Sequence, residues 1–249
     1  DFFSNSKVSK KEINRNDVIH VHGIWAPIQI FSIFYCNNIK SKSLVIHPHG
    51  MLLNEALKSA GFVKYLLKFF TLFIFKFILD DKITFFSITD QETLAIRKFF
   101  PSNKIVQIPN SLPFDLSIQS NKSLKKQFIY FGRIHPHKNL EILINSFIGA
   151  NLGSEWYLKI YGIRDDEKYR QKIIELIDNN PNIKLYEPIF GEERQEIMSS
   201  SWANILISKS EVLSLSILES LYYGLPTLTS KNIDLKNLDD SVVKTSLNN

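Results

Sequence analysis

Apolar runs of strand length alternate with helical patterns from one end of the 249 residues to the other. This order limits the fold more than any other feature. A strand-helix repeat makes the strands parallel, and parallel sheets sit covered on both faces. Strands are expected at 17–22, 43–47, 84–88, 104–108, 128–132, 157–161, 183–187, 203–207 and 226–229. Helical patterns fall at about 26–36, 52–79, 91–99, 138–149, 166–179, 191–199 and 215–223. The polar stretch DLSIQSNKSLKKQ at 115–127 interrupts the alternation and predicts a linker between units at 1–114 and 128–249. With 44% apolar residues, the chain can bury one large core or two modest ones, and length alone favours two only weakly.

A net charge of +5 implies attraction to phosphates, in nucleotides or anionic headgroups. Nucleic acid is disfavoured, because no basic run interleaves with aromatic residues that could stack bases. Cys36 is alone, so neither an intrachain disulfide nor a thiolate metal cluster can form, which fits a reducing cytoplasm. The opening DFFSNSKVSKKEINRND is polar and charged, unlike a signal peptide, and starts without methionine, so the chain reads as beginning inside a longer protein. Neither G-x-S-x-G nor H-E-x-x-H occurs.

Two carboxylates stand out in SKSEVLSLSILESLYYGLPTLTS. Glu211 closes a strand-to-helix loop, and Glu219 falls about one and a half turns into a helix capped by Ser214 or Ser216. Gly224 suits a left-handed helix stop and Pro226 opens the next strand, so carboxylates and a helix N-terminus share one rim of a sheet. Such a rim favours a ligand carrying both hydroxyls and phosphates. In GRIHPHKN, the strand QFIYFG is expected to end at Gly132, with Arg133 and Lys138 on the loop after it, placed to neutralise a diphosphate. An exposed surface pair is the alternative reading of those two cations. His20 and His22 alternate along DVIHVHG and share one face of their strand, one of them being structural.

The E-x7-E spacing followed by G-x-P resembles the signature of the family-four retaining glycosyltransferases, the glycosyl transferases group 1 with the two-domain GT-B fold. HVHGIW at 20–25, HPHGML at 47–52 and YFGRIHPHKNL at 130–140 match in the same order. This order decides for two Rossmann-like, doubly wound domains facing a central cleft. The resemblance implies a nucleotide-diphosphate sugar as co-substrate, no cofactor and no metal, and a glycan or lipid-linked acceptor in cell-surface polysaccharide synthesis. It implies that Arg133 and Lys138 hold the diphosphate, Glu211 stands near the reacting sugar, and Glu219 accepts from the ribose hydroxyls. Backbone amides at Ser214 and Leu215 face the distal phosphate, and Gly132 and Gly162 border the nucleotide, with its base near Pro188 and Ile189. His22 and Gly23 line the cleft, and His49, followed by Gly50, lies close to the sugar phosphate.

The family commonly has glycine and then an aromatic after the first glutamate, where this chain has Val212 and Leu213. A β-branched residue resists positive φ, so a turn needing glycine geometry would strain there. Family members also carry a strand and glycine-rich turn before the HVHG element and a further helix past G-x-P, so the chain reads as truncated at both ends. Two other classes stay open: a GT-B enzyme that isomerises or hydrolyses sugar nucleotides, and a noncatalytic sugar-nucleotide-binding protein.

The segment GFVKYLLKFFTLFIFKFIL at 61–79 is too punctuated by Lys64, Lys68 and Lys76 for a transmembrane span. These lysines fall within roughly a third of the helix circumference and leave a broad apolar face. It is either a core helix whose lysines face water or a helix lying on the inner face of an anionic membrane.

Overall fold

The computed structural model describes residues 18–38, 43–58, 61–112, 124–233 and 235–246. The chain divides into two compact units, Asp1–Asn110 and Ser111–Asn249. Most of the expected linker, residues 115–123, lies outside the described residues.

The first unit runs β1 (Val18–His22), α1 (Pro27–Asn37), β2 (Ser43–His47), α2 (Asn54–Lys58), α3 (Phe62–Ile78), β3 (Thr84–Ser87), α4 (Asp90–Phe99) and β4 (Lys104–Gln107). Its strands are parallel and stand in chain order, β1-β2-β3-β4. Right-handed crossovers between strands in that order put every helix on one face, as in one half of a doubly wound sheet. The core agrees: Val21, Leu44, Ile46 and Phe85 pack in one cluster with Ile33 of α1, Leu57 of α2, Leu72 and Phe75 of α3, and Ile96 of α4. The alternate residues His20, His22, Val45, His47 and Phe86 therefore occupy the other face, which carries no helix among the described residues.

Two expectations for 52–79 are corrected. The pattern resolves into two helices, and Gly61, at φ +86°, takes the N-cap position of α3. The orientation of α3 is the reverse of a core helix with lysines in water. Leu72, Phe75 and the following Leu79 are buried, and Tyr65 and Lys68 are half-buried, a stripe at i, i+3, i+7 spacing. Lys68 lies on that inward stripe, where it donates to the Ala56 carbonyl at 3.1 Å and sits 5.3 Å from the Trp25 ring centre. Phe62, Leu67, Phe70, Phe73 and Phe77 face outward, each at least 57% exposed. The lysines thus border the packed side, and the broad apolar face points away from the unit. No described helix is long and apolar enough to cross a membrane.

The second unit runs β5 (Gln127–Ile134), α5 (Leu140–Gly149), β6 (Tyr157–Arg164), α6 (Glu167–Ile177), β7 (Ile183–Tyr186), α7 (Gly191–Ser200), β8 (Ala203–Leu206), α8 (Leu215–Tyr222), β9 (Thr227–Ser230) and β10 (Val243–Thr245). The six strands are parallel, in the order β10-β9-β8-β5-β6-β7. Both faces are covered. Tyr130 and Ile134 of β5 join Leu143 of α5, Ile173 of α6 and Ile217 of α8, while Ile129 and Phe131 of β5 join Met198 of α7 on the opposite face. Neither Gly132 nor Gly162 ends its strand, contrary to expectation: β5 continues to Ile134 and β6 to Arg164. The two glycines are direct cross-strand partners, so the ladder passes through a site with no side chain on either strand. The short edge strand β10 was not expected, three residues being too few to register as a period.

Candidate functional site

The second sheet reverses its winding at β5. From there the chain builds β6 and β7 to one side, then returns to lay β8, β9 and β10 on the other. The loops leaving β5 and β8 therefore part at a switch point, where open α/β sheets bind ligands beyond the carboxyl ends of their strands. These loops carry Lys138 and Glu211.

Both loops are tied together by polar groups. His135 Nδ1 accepts from His137 N at 3.1 Å at the start of a 3₁₀ turn, Pro136–Lys138. Asn139 follows in the left-handed region at φ 54°, which asparagine tolerates better than most residues. Its amide donates to the Ile207 carbonyl at 2.9 Å, and Lys209 N donates to the His137 carbonyl at 2.9 Å. The His137 ring places Nε2 2.9 Å from Ser210 Oγ, and burial pushes its pKa down. Held this way, Lys138 is 8% exposed, and its ammonium donates to Glu211 Oε1. Tyr130 stands beneath. Its hydroxyl donates to the Arg133 carbonyl at 2.8 Å, and burial first, then the Glu211 charge, push its pKa well above 10.

The other two charged residues form separate pairs. Arg133 Nη1 meets Asp165 Oδ2 at 2.9 Å, with 55% of the arginine side chain exposed. An ion pair this wet contributes at most about 1 kcal/mol, so Arg133 can exchange its partner for a ligand anion at little cost. Glu219 is held by Arg194, whose Nε and Nη2 lie 2.9 and 2.5 Å from Oε2. The guanidinium also sits 4.3 Å from the Phe131 ring centre, a cation–π contact that fixes it. Both hydrogen bonds from Arg194 use Oε2 of the Glu219 carboxylate.

Ser214 occupies the N-cap of α8, but its hydroxyl makes no capping bond, and Ser216 lies buried inside the helix, where its oxygens face the Asn204 amide. The amides at Ser214 and Leu215 thus open the helix at its positive end. Gly224 takes φ +65°, as a left-handed stop requires. Val212 is not among the residues with positive φ, so this turn forms without glycine geometry and valine strains nothing. Ile189 packs beside Phe131, Tyr161 and Tyr223 on the α7 face.

In the first unit, the residues singled out from sequence meet each other. His22 of β1 and His47 of β2 are cross-strand partners, and their rings stack at 4.3 Å. His22 Nδ1 lies 2.8 Å from His49 Nε2, and His20 Nδ1 lies 2.9 Å from His47 Nε2. Gly23 at φ +84° and Gly50 at φ +77° turn the chain away from the sheet, and His49 itself sits at φ +51°. That strained turn is anchored by Glu92, fully buried, which accepts from Gly50 N at 2.6 Å and Ile88 N at 2.8 Å. Burial lowers His22 and His49 and, with the neighbouring histidine charges, takes His47 down to about 4.

Residues 115–235 match the family model described as glycosyl transferases group 1. The matched residues make up most of the second unit, Ser111–Asn249. Among solved structures, the chain is similar to sucrose-phosphate synthase from Thermosynechococcus elongatus (TM-score 0.74, 15% identity, 94% of this chain and 61% of that one). It is also similar to Anabaena HepE in complex with UDP and glucose (0.72, 15%, 95% and 66%) and to the pneumococcal O-GlcNAc transferase GtfA in complex with UDP and GlcNAc (0.63, 19%, 91% and 44%). These likenesses identify the shared GT-B architecture. The chain spans between 44% and 66% of the length of these relatives. No curated protein matches it.

Within the second unit, Arg194, Asp165 and Tyr130 were missed from sequence. Arg194 lies 25 positions before Glu219 on a different helix, and no short motif links them. His47 was missed in the first unit, although HPHG displayed it next to His49.

Proposed function

We propose that the chain moves a sugar from a nucleotide-diphosphate-sugar donor to a hydroxyl of a glycan or lipid-linked acceptor, with retention of configuration, in cell-surface polysaccharide synthesis. One observation carries this reading: a buried lysine-glutamate pair bridges the two loops of a switch point, inside the residues that match the glycosyl transferases group 1 model. When a diphosphate enters, Lys138 and Arg133 turn their positive charge to it and stabilise it as it leaves. Glu211, released from Lys138, faces the sugar, and the open N-terminus of α8 takes the distal phosphate. The acceptor hydroxyl attacks the anomeric carbon as its bond to the diphosphate breaks. Glu219 Oε1 accepts from the ribose hydroxyls while Arg194 holds Oε2 in place.

The test is a thermal-shift and calorimetric screen of nucleoside diphosphates and their sugars, since a ligand bound only by the folded state raises its stability. A hit is then compared with its 2′,3′-dideoxy analogue. Glu219→Ala is expected to weaken the ribonucleotide by roughly tenfold, and the analogue is expected to lose a similar factor on the wild type but nothing further on the variant. Equal discrimination between the two nucleotides by Glu219→Ala would remove Glu219 from the ribose.

The outward face of α3 adds a membrane to the proposal. Its phenylalanines enter the acyl boundary while the bordering Lys64 and Lys76 meet anionic headgroups at the inner, cytoplasmic face. Wild type is expected to sediment with anionic phospholipid vesicles, and Phe70→Glu with Phe73→Glu to lower the bound fraction roughly tenfold or more. Wild-type protein left in the supernatant refutes the contact.

A further inference from the structure

We propose that His22, His47 and His49 form a binding site for a divalent transition-metal ion of the zinc class. Each offers a ring nitrogen, and these three nitrogens lie within 4.8 Å of one another. A zinc ion bonded at about 2.0–2.1 Å to three imidazoles needs their nitrogens roughly 3.3 Å apart in a tetrahedron, so rotation of the rings, two of them exposed and His47 half-buried, completes the site. Three independent features of the backbone bring the rings together. Parallel pairing sets His22 directly beside His47 at the carboxyl ends of β1 and β2. The left-handed turn at His49 and Gly50 brings the third ring back over the strand ends. Glu92 holds that turn through Gly50 N, so the third ligand stands on an anchored loop.

The chemistry of the donor set selects the ion. Three imidazoles suit zinc, copper, nickel or cobalt rather than magnesium or calcium, which prefer oxygen. His20 holds the His47 ring by a 2.9 Å hydrogen bond, the outer contact that orients a metal-ligating histidine. The fourth coordination position faces the side of the sheet that carries no helix among the described residues, where water or a ligand atom can bind. The His22–His49 contact, at 2.8 Å, needs one shared proton, and a metal ion takes that proton's place between the two nitrogens. All three ligands belong to the first unit, so failure of this site leaves the sugar-transfer reading standing, and loss of transfer leaves this site standing.

Untagged protein is stripped with EDTA and titrated with Zn²⁺ by calorimetry, and with Co²⁺ by its visible absorption. One equivalent of zinc is expected, with the d–d bands of tetrahedral cobalt. His22→Ala and His47→Ala are each expected to weaken binding at least about a hundredfold, and His20→Ala about ten- to a hundredfold through the orientation of His47. His135→Ala, in the second unit, is expected to bind like wild type. Circular dichroism in EDTA checks each fold. Should His47→Ala fail to fold, His22→Ala carries the same test, since its side chain is exposed. Stripped wild-type protein that takes up no zinc overturns the site, as does undiminished affinity in His22→Ala and His47→Ala.

Discussion

Lys138→Ala is expected to abolish sugar transfer and to unfold at markedly lower denaturant than the wild type. The variant leaves the Glu211 carboxylate, only 15% exposed, without its cation. Breaking a buried pair from one side in this way costs about 3–5 kcal/mol, because the desolvated charge remains and its compensation does not. On the proposed mechanism the same lysine meets developing charge on the leaving diphosphate, and deleting one such donor lowers kcat by about 10²–10³. The two losses separate in a double variant. Lys138→Met with Glu211→Leu removes both charges, so stability returns towards the wild type while transfer stays absent. Urea unfolding and a transfer assay on the wild type, Lys138→Met, Glu211→Leu and the double variant measure both quantities. Wild-type turnover in Lys138→Ala removes the lysine from the reaction. An unchanged unfolding midpoint says the pair is wetter than its geometry.

Gly162→Ala is expected to be the most damaging one-carbon change in the second sheet. A Cβ at 162 would stand 2.1 Å from Ile134 Cδ1 and 2.9 Å from the Gly132 carbonyl oxygen. Ile134 is 1% exposed and cannot swing away into solvent, and the carbonyl belongs to the ladder between β5 and β6. Overpacking of this kind costs about 1–3 kcal/mol, and here backbone must move as well as a side chain. Adding Ile134→Val should relieve only the contact with Cδ1, because the γ carbon at 2.6 Å and the carbonyl at 2.9 Å still clash. The strand shift moves Arg133, the direct neighbour of Gly132, so diphosphate affinity is expected to fall together with stability. Thermal unfolding of the single and double variants checks the first expectation and calorimetry with the diphosphate the second. A melting temperature within error of wild type sinks both.

Much of the architecture was legible because it depends on local periods. Apolar alternation located nine of the strands to within a few residues, and the turn chemistry of Gly224 placed the end of α8 at 223, one residue past its observed end at Tyr222. Motif spacing located Glu211 and Lys138 on loops at strand ends. It could not pair them, because 73 positions of chain separate the two. The same limit hid Arg194 behind Glu219. The α3 segment shows a different limit. Periodicity correctly set the lysines on one side of the helix and a broad apolar face on the other, but an amphipathic pattern carries no statement of which side meets the body of the protein.

The order of residues alone determined the parallel α/β class, the two-unit division suggested by motif order, and the identity of the charged groups at the carboxyl edge of the second sheet. Hydrophobic period and turn residues act over a few positions, so a single chain displays them. Tertiary structure decided which charges neutralise which: Lys138 with Glu211, Arg194 with Glu219, Arg133 with Asp165. It also decided that Phe70 and Phe73 point outward, and that His47 lies beside His22. Those outcomes depend on strand order and cross-strand register, which bring distant residues within a few ångströms and leave no local mark in the sequence.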